Sequence, residues 1–295
     1  MKHVLHLAVL SDQHLDSKTA PASWELAKKA FRAVVSAKVD HAIVDGDLFD
    51  SSSAMLRDHT KVQRYLKRLG LWHRDRLTIV VGNHDIFHTP HRGTWRQRAA
   101  EFLKTATEDA QASYEAFTDW AGQLVHPGDR LAGEDDLYPI DKQLGHVRIW
   151  GVDTTSATTD RSGNGYWRVE DDHLLRDADS GTESERRVLA IHHPPYEDEE
   201  QTIRQVLKGD FCHFGFPATE FRRLRRFVTA SRVDAVVCGH IHAGLSRWHW
   251  TLGGKKSRAE VRVMGRTGGV HGATPCFGIL TAPKRGDLAW EEIEI

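Results

Sequence analysis

Five segments of the chain share one pattern, in which an apolar run rich in β-branched residues stops at a cluster of polar side chains. The runs are VLHLAVL, HAIV, LTIVV, RVLAI and VDAVVC, and the clusters that follow them are SDQH, DGDLFD, GNHD, HHPP and GHIH. Continuous Val, Ile and Leu runs of this length are typical of strands that are buried on both faces. We therefore expect five buried strands, each of which ends in residues that can carry chemistry.

Helical patterns separate these runs, with apolar positions recurring every three or four residues. Strands that alternate with helices favour an α/β sheet, and ligands of such sheets bind at the carboxyl ends of the strands. All five polar clusters lie at such ends, so we expect them to form one site. The helical patterns cover residues 22–37, 54–69, 96–121 and 218–231.

Two further regions affect the predicted domain organisation. The stretch 86–136 is long for a connection and mostly helical, so we expect an insertion that can cap the site. From about residue 245 the sequence alternates between apolar and polar residues, which predicts strands of a second sheet. We interpret residues 1–295 as one domain with this insertion.

The composition excludes some classes of function and favours others. The 40 basic and 41 acidic residues leave a net charge of −1, so no strong nucleic-acid or membrane field is expected. No apolar stretch has the length of a membrane span. Three widely spaced cysteines indicate reduced thiols and a cytoplasmic location. Nineteen histidines point mildly to metal binding or proton transfer.

The polar clusters contain residue types that bind metals. Asp12 and His14 are two positions apart and would point to the same side of an extended backbone, so they can share one ion. The carboxylate of Asp47 has two oxygens and can bridge two ions. Mixed nitrogen and oxygen donors favour Mn, Fe, Zn or Co over a thiolate zinc site. Seven donors are too many for one catalytic ion and suit two that share a carboxylate. The seven are Asp12, His14, Asp47, Asn83, His192, His240 and His242.

The same series of motifs resembles the calcineurin-like metallophosphoesterases, whose pattern is DxH, GDxxD, GNHD/E, HxP and GHxH. The match runs from residue 10 to residue 242, with every motif intact and in order. The resemblance implies an α/β fold, a four-layer αββα sandwich of two mixed β-sheets flanked by helices. It also implies a dinuclear metal centre at the rim of the sandwich.

Carried over position by position, the resemblance assigns each donor to one of two metals, with Asp47 as the bridge. One metal is held by Asp12, His14 and His242, and the other by Asn83, His192 and His240. Because the family pattern is His-x-Pro, the ligand in HHPP is the first histidine, and His193 is interpreted as a neighbour of the site.

Two further residues have catalytic roles in this interpretation. The resemblance places His84 beside the metals, where it meets the substrate phosphate and the leaving oxygen. Asp50, the last residue of GDLFD, resembles the family's partner that orients and charges that histidine. We interpret Asp85 as a residue that holds the turn and Asp45 as structural.

The implied reaction is attack of a metal-bridging hydroxide on a phosphoester. The pairing of HHPP with GHIHAG most resembles bacterial phosphodiesterases of the cyclic-nucleotide type, so a small-molecule phosphodiester is the expected substrate. The GDLFD motif also resembles double-strand-break repair nucleases, which makes a nuclease the second hypothesis. A phosphomonoesterase and a non-catalytic metal-binding scaffold are further alternatives. The natural substrate, the metals and the oligomeric state stay open.

Overall fold

The computed structural model describes residues 4–87, 108–133, 136–155, 165–179, 185–195, 215–240, 249–253, 258–264 and 275–295. The α-helices of these ranges are α1 (Pro21–Ser36), α2 (Ser52–Arg68), α3 (Asn83–Ile86), α4 (Glu108–Gly122), α5 (Val169–Ala178) and α6 (Ala218–Ala230). The strands are β1 (Val4–Leu10), β2 (His41–Asp45), β3 (Leu77–Val80), β4 (Ile140–Leu144), β5 (Val147–Gly151), β6 (Arg186–Ala190), β7 (Ala235–Cys238), β8 (His249–Gly253), β9 (Arg258–Val263), β10 (Cys276–Pro283) and β11 (Ala289–Glu294).

The strands form two mixed sheets. The first has the order β11-β10-β1-β2-β3. In it β1, β2 and β3 are parallel, β10 is antiparallel to β1, and β11 is antiparallel to β10. The second has the order β4-β5-β6-β7-β9-β8, in which β5, β6, β7 and β9 are parallel. The predicted fold class of two mixed sheets flanked by helices is confirmed.

The alternation of side chains along the strands produces three apolar cores. On β1, Ala8 and Leu10 face a core that contains side chains of α1, α2 and α4. Leu7 and Val9 face the opposite way and pack against strands of the second sheet. The outer face of the second sheet packs on α5 and α6 in a third core. Three cores in this arrangement require four layers, helix-sheet-sheet-helix, because successive side chains of a strand point to opposite faces.

The five apolar runs all form strands, but they divide between the two sheets. β1, β2 and β3 lie in the first sheet, whereas β6 and β7 lie in the second. The predicted second sheet after residue 245 is right for β8 and β9 and wrong for β10 and β11, which join the first sheet. The physical reason is that β10 pairs along the length of β1, from Val4 opposite Pro283 to Val9 opposite Gly278, and is buried on both faces.

The edge of β3 that does not pair with β2 is covered by two side chains, one on β4 and one just before it. The hydroxyl of Tyr138 donates to the carbonyl of Ile79 at 2.8 Å, and Nζ of Lys142 donates to the carbonyl of Leu77 at 2.7 Å. These carbonyls alternate with those that bond β2, so they would otherwise be buried without a partner. The two sheets are thereby joined by hydrogen bonds where β3 meets β4.

The predicted helices are present where the structure describes them. The patterns over 22–37, 54–69 and 218–231 correspond to α1, α2 and α6. Of the 96–121 pattern, residues 108–121 are described and belong to α4. The indole of Trp120 on α4 packs on Phe49, with ring centroids 5.6 Å apart. This part of the 86–136 insertion is therefore packed into the first core, and its role as a cap stays a prediction. Among the described helices none is long and apolar enough to cross a membrane.

His41 makes a testable contribution to acid sensitivity. Its Nε2 lies 2.8 Å from the hydroxyl of Thr78 and its Nδ1 lies 3.0 Å from the carbonyl of Asp75. Burial, together with the charge of Lys142, lowers the pKa of His41 from 6.5 to about 3. Below pH 6.5 the unfolded chain therefore takes up a proton that the folded chain does not. The free energy of unfolding should fall by up to about 1.4 kcal/mol per pH unit from this residue.

We expect His41→Gln to remove this contribution, so that its stability declines less steeply than that of the wild type as the pH falls from about 6.5 to about 4. Urea denaturation at a series of pH values measures the difference. His73→Gln, at an exposed histidine before β3, is the matched control and should follow the wild type. Parallel curves for wild type and His41→Gln would show that the linkage is absent.

Candidate metal centre

The loops that follow β1, β2, β3, β6 and β7 meet at one edge of the sandwich. The amide of His14 donates to the carbonyl of Asp47 at 3.0 Å, which joins the first two loops. The amide of His84 donates to Oδ1 of Asp47 at 2.8 Å, and the amide of His240 donates to Oδ2 of Asp12 at 3.0 Å. Strands of both sheets therefore contribute to one cluster of polar side chains, as the positions of the motifs predicted.

Several residues of this cluster have a left-handed backbone conformation, which residues other than glycine rarely adopt. Asp12, His14, Asp47 and His240 have φ values of 51°, 46°, 50° and 70°. The expectation that Asp12 and His14 share one side of an extended strand is wrong, because β1 ends at Leu10 and both residues are left-handed. Left-handed conformations cost free energy and persist where the surrounding structure enforces them, commonly at functional sites.

Glycines leave the space that these side chains occupy. Gly46 has a φ of +106°, and a Cβ at this position would lie 2.3 Å from Nδ1 of His192. A Cβ on Gly82 would lie 2.1 Å from the backbone nitrogen of Asp47 and 2.3 Å from its Oδ1. The glycines of the GDLFD and GNHD motifs are thus required for the close approach of the loops.

One group of donor atoms surrounds Nε2 of His192. This nitrogen lies 3.0 Å from Oδ1 of Asn83, 3.2 Å from Nδ1 of His240 and 3.4 Å from Oδ2 of Asp47. Ligands at metal bond lengths of about 2.1 Å are separated from one another by about 3.0–3.4 Å. The three distances from Nε2 of His192 therefore match the separations between ligands of one metal ion, and the ligand atoms of Asp47, His192 and His240 all lie within 4.8 Å of one another.

A second group shares Asp47. Nε2 of His14 lies 3.8 Å from Oδ1 of Asp12 and 3.8 Å from Oδ2 of Asp47. The three residues are buried, and their donor atoms lie within 4.8 Å of one another. The predicted third ligand, His242, lies outside the described residues. Oδ2 of Asp47 belongs to both groups, which is the position that a bridging carboxylate needs.

The chemistry of the donor atoms fits divalent cations. Oδ2 of Asp47 is buried and accepts no hydrogen bond from the part of the chain that the structure describes. Burial would raise the pKa of Asp47, but the neighbouring imidazoles of His192, His84 and His14 lower it well below its usual value. Burial likewise opposes charge on His192, and Asp47 raises the pKa of that imidazole. Positive charge close to the buried Asp47 carboxylate therefore stabilises it, and either protons on the imidazoles or bound metal ions can supply that charge.

His192 is oriented for ligation by its other nitrogen. Its Nδ1 lies 3.0 Å from the backbone carbonyl of Asp45, to which it donates when protonated. In the neutral imidazole that binds a metal, this hydrogen bond places the proton on Nδ1 and leaves Nε2 free to face the donor group. Asp45 contributes here through its backbone, in keeping with the structural role that we expected for it.

His84 and Asp50 lie close together, and the main chain of Asp50 takes part in their contact. Nδ1 of His84 lies 2.9 Å from the backbone carbonyl of Asp50, whereas Oδ1 of Asp50 lies 3.3 Å from Nδ1 of His14. The main chain of Asp50 therefore orients His84, and its carboxylate supports a candidate metal ligand. Such carboxylate–histidine pairs raise the basicity of the ligand. The orientation of His84 by the Asp50 carboxylate stays a prediction.

Asp85 holds the turn after β3. Its Oδ1 accepts from the amide of Phe49 and its Oδ2 accepts from the amide of Gly82, both at 2.8 Å. Burial and the nearby charge of Asp47 raise the pKa of Asp85 to about 7. The carboxylate ties the GNHD turn to the GDLFD loop, which agrees with the role that the sequence predicted.

Sequence reasoning missed Thr154. The hydroxyl of this buried residue lies 2.8 Å from Nδ1 of His193. A signal was present, because β5 also stops at a polar cluster, VDTT, and β5 pairs with β6. The cluster contains no motif of the family, and its position beside HHPP depends on the order of strands in the second sheet.

The close approach at Gly82 generates a prediction. Gly82→Ala forces the GDLFD loop to move, so we expect the free energy of unfolding to fall by about 1–3 kcal/mol and Mn²⁺ binding to weaken. Urea denaturation and metal analysis measure the two effects. Gly128→Ala is the matched control, because a Cβ there would lie 3.4 Å from its nearest neighbour, and it should behave as the wild type. Wild-type stability and metal content in Gly82→Ala would contradict the geometry.

Solved structures of similar fold include two phosphatases. A purple acid phosphatase from yellow lupin (Lupinus luteus) seeds has a TM-score of 0.62 and 12% identity, with all of this chain and 52% of that protein covered. This chain thus spans about half the length of the lupin protein. A dimetal phosphatase from Danio rerio has a TM-score of 0.57 and 13% identity, with 98% of this chain and 99% of that protein covered. At these identities the likeness establishes the fold.

A search of curated proteins gave no significant match. The model of the calcineurin-like phosphoesterase family matches residues 5–244, which include all five motifs and most of both sheets. The motifs, the sandwich and the convergent donor groups agree with this match, and the chain belongs to the calcineurin-like phosphoesterase family.

Proposed function

We propose that this protein is a dinuclear-metal-dependent phosphodiesterase that hydrolyses a small phosphodiester of the cyclic-nucleotide or glycerophosphodiester type. The observation that carries the proposal is the position of Asp47, whose Oδ2 lies 3.4 Å from Nε2 of His192 and 3.8 Å from Nε2 of His14. One carboxylate between two donor groups suits two ions. Manganese, iron, zinc and cobalt all fit the nitrogen and oxygen donors.

Asn83, His192 and His240 would hold one ion with Asp47, and Asp12 and His14 with the predicted His242 would hold the other. When bound, such a pair of ions polarises phosphoryl oxygens and activates a water molecule as the nucleophile. The residues of the chain would keep the two ions at a fixed separation and neutralise them. Charge neutralisation by the Asp47 and Asp12 carboxylates is available because both side chains are buried beside the histidines.

His84 would handle the proton of the leaving group. Its Nδ1 is held by the carbonyl of Asp50, so Nε2 is the nitrogen left to face the substrate, and it lies 4.0 Å from Oδ2 of Asp47. Burial lowers the pKa of His84 to about 4. The negative charge of a bound phosphodiester would raise that pKa again, so that the ring can donate a proton to the departing oxygen.

Support for a small diester comes from the motif style and the charge. HHPP together with GHIHAG resembles cyclic-nucleotide-type phosphodiesterases, and the net charge of −1 offers no general attraction for nucleic acid. The proposed partner is therefore a small-molecule phosphoester. The predicted cytoplasmic location stays a prediction.

A nuclease is the second candidate function. GDLFD resembles the repair nucleases, and the exposed face of α6 carries Arg222, Arg225 and Arg226. With Arg176 they line a surface cavity of about 760 Å³. Arginine side chains bind phosphate readily, so DNA belongs among the substrates to be tested.

The proposed function is tested by stripping the protein of metals, adding Mn²⁺ and comparing bis(p-nitrophenyl) phosphate with p-nitrophenyl phosphate. We expect higher kcat/KM for the diester and the binding of two ions per chain. Asp47→Ala removes the shared ligand and should lose at least one ion and nearly all turnover. Preference for the monoester would replace the proposal with a phosphomonoesterase. Two bound ions with no turnover of either ester, or of single-stranded DNA, would favour a scaffold.

His84→Ala should separate metal binding from proton transfer. We expect the variant to keep both ions and to lose about 10²–10⁴-fold in kcat on diesters with alkyl leaving groups, since general-acid catalysis has this magnitude. The loss should be much smaller on the p-nitrophenyl ester, whose leaving group needs no proton. Metal analysis and the dependence of kcat on leaving-group pKa measure these effects. A variant that binds fewer ions would show that His84 supports the metals instead.

A further inference from the structure

His193, the second histidine of HHPP, is buried against two candidate ligands. It is 1% exposed, and its ring centroid lies 5.0 Å from that of His192 and 4.6 Å from that of His240. The ring of His193 is thus in contact with both imidazoles of the donor group that contains Asn83 and Asp47. A residue in this position can restrict the orientation of the two rings.

Thr154 holds His193 in place. Its hydroxyl oxygen lies 2.8 Å from Nδ1 of His193 and accepts a hydrogen bond from the backbone amide of the same residue at 3.4 Å. Thr154 is itself fully buried, and its carbonyl accepts from the amide of Tyr166 at 3.0 Å. Thr154, which holds His193, is thus fixed by the backbone just after β5, and β5 lies next to β6 in the second sheet.

The pocket around His193 leaves little room for another ring position. A Cβ on Gly165 would lie 2.6 Å from Cβ of His193 and 2.8 Å from the ring of Phe216. The ring of Phe216 stands nearly perpendicular to that of His193, with centroids 6.4 Å apart. Tight packing on this side directs the His193 ring toward His192 and His240.

In a merely structural role, the buried side chain of His193 would lower the stability of the fold. Its Nε2 is buried without a hydrogen-bond partner among the residues that the structure describes. An unsatisfied buried nitrogen costs free energy that an apolar side chain of similar size would avoid. The hydrogen bond between Nδ1 and the hydroxyl of Thr154 gives the histidine a role at the site that accounts for this cost.

His240 is one of the two candidate ligands whose imidazoles contact the ring of His193. It follows β7 directly and has a left-handed backbone with a φ of 70°. His192 is the other, and the carbonyl of Asp45 orients it as well. We propose that His193, tethered by Thr154, is a positioning residue that fixes the imidazoles of His240 and His192 for binding of the metal ion held by Asn83, His192, His240 and Asp47.

This inference rests on the proposed metal centre and predicts changes in metal affinity. Substitution of residues that orient metal ligands commonly weakens binding about 10–100-fold. Thr154→Val removes the hydroxyl and keeps the shape, so it should weaken the binding of one of the two Mn²⁺ ions by about tenfold or more. Thr154→Ser restores the hydroxyl and should recover most of the affinity.

A matched pair at residue 193 tests which nitrogen matters. The side-chain amide of asparagine lies near the position of Nδ1, whereas that of glutamine reaches the position of Nε2. His193→Asn should therefore keep the bond to Thr154 but lose the ring contacts, so it should lose less affinity than His193→Gln, which should lose at least as much as Thr154→Val. His73→Gln, at an exposed histidine, should bind as the wild type.

The measurements are calorimetric titration of metal-free protein with Mn²⁺ and the EPR spectrum of the Mn²⁺ pair. Thermal unfolding of the metal-free variants shows that each is folded, and if Thr154→Val fails to fold, the pair at residue 193 carries the comparison. Equal Mn²⁺ affinity in all variants, or retention by His193→Gln with loss in His193→Asn, would overturn the inference. A wild type that binds fewer than two ions would overturn the proposed function and this inference with it. If the wild type binds two ions tightly and the variants bind Mn²⁺ with the expected weaker affinity, the inference is supported even if the substrate class proves different.

Discussion

A buried carboxylate without enough hydrogen bonds has to be surrounded by positive charge, and Asp47 imposes this requirement on the whole edge of the sandwich. Its side chain is 1% exposed, and a charge removed from water costs several kcal/mol unless it is compensated. The imidazoles of His14, His84 and His192 approach it from three separate loops. The loops of both sheets are therefore arranged around one acceptor oxygen, which makes the site a property of the interface between the sheets.

Bringing those loops together strains the backbone. The left-handed conformations of Asp12, His14, Asp47 and His240 are each unfavourable for residues with a side chain. The rigid part of the molecule offsets this cost through three apolar cores that bury both faces of the strands directly before the loops. Polar side chains on β4 and just before it assist, as Lys142 and Tyr138 do at the edge of β3. Precision at the site is thus obtained from packing away from it.

Groups other than the candidate metal ligands set the orientation of the histidines at the site. The carbonyl of Asp45 faces His192, the carbonyl of Asp50 faces His84, and the carboxylate of Asp50 faces His14. Thr154 extends this outer layer to His193 from the segment after β5, which contains no motif of the family. The outer layer comes mostly from backbone and from residues of unremarkable type, which is why its members are hard to recognise in a sequence.

The sequence by itself determined the strands that end in polar clusters, the helices between them and the motif residues that the family uses, because these features are encoded by local periodicity and short spacings. Only the tertiary structure decided that the five strands divide between two sheets, that β10 pairs with β1, and that Asp12 and His14 leave the extended conformation. Each of these depends on contacts between residues far apart in the chain, such as Val4 with Pro283. The contact of Thr154 with His193 has the same origin, since strand order brings β5 beside β6 across 39 residues of sequence. Local patterns specify which residues are available for chemistry, and the pairing of distant strands specifies where they meet.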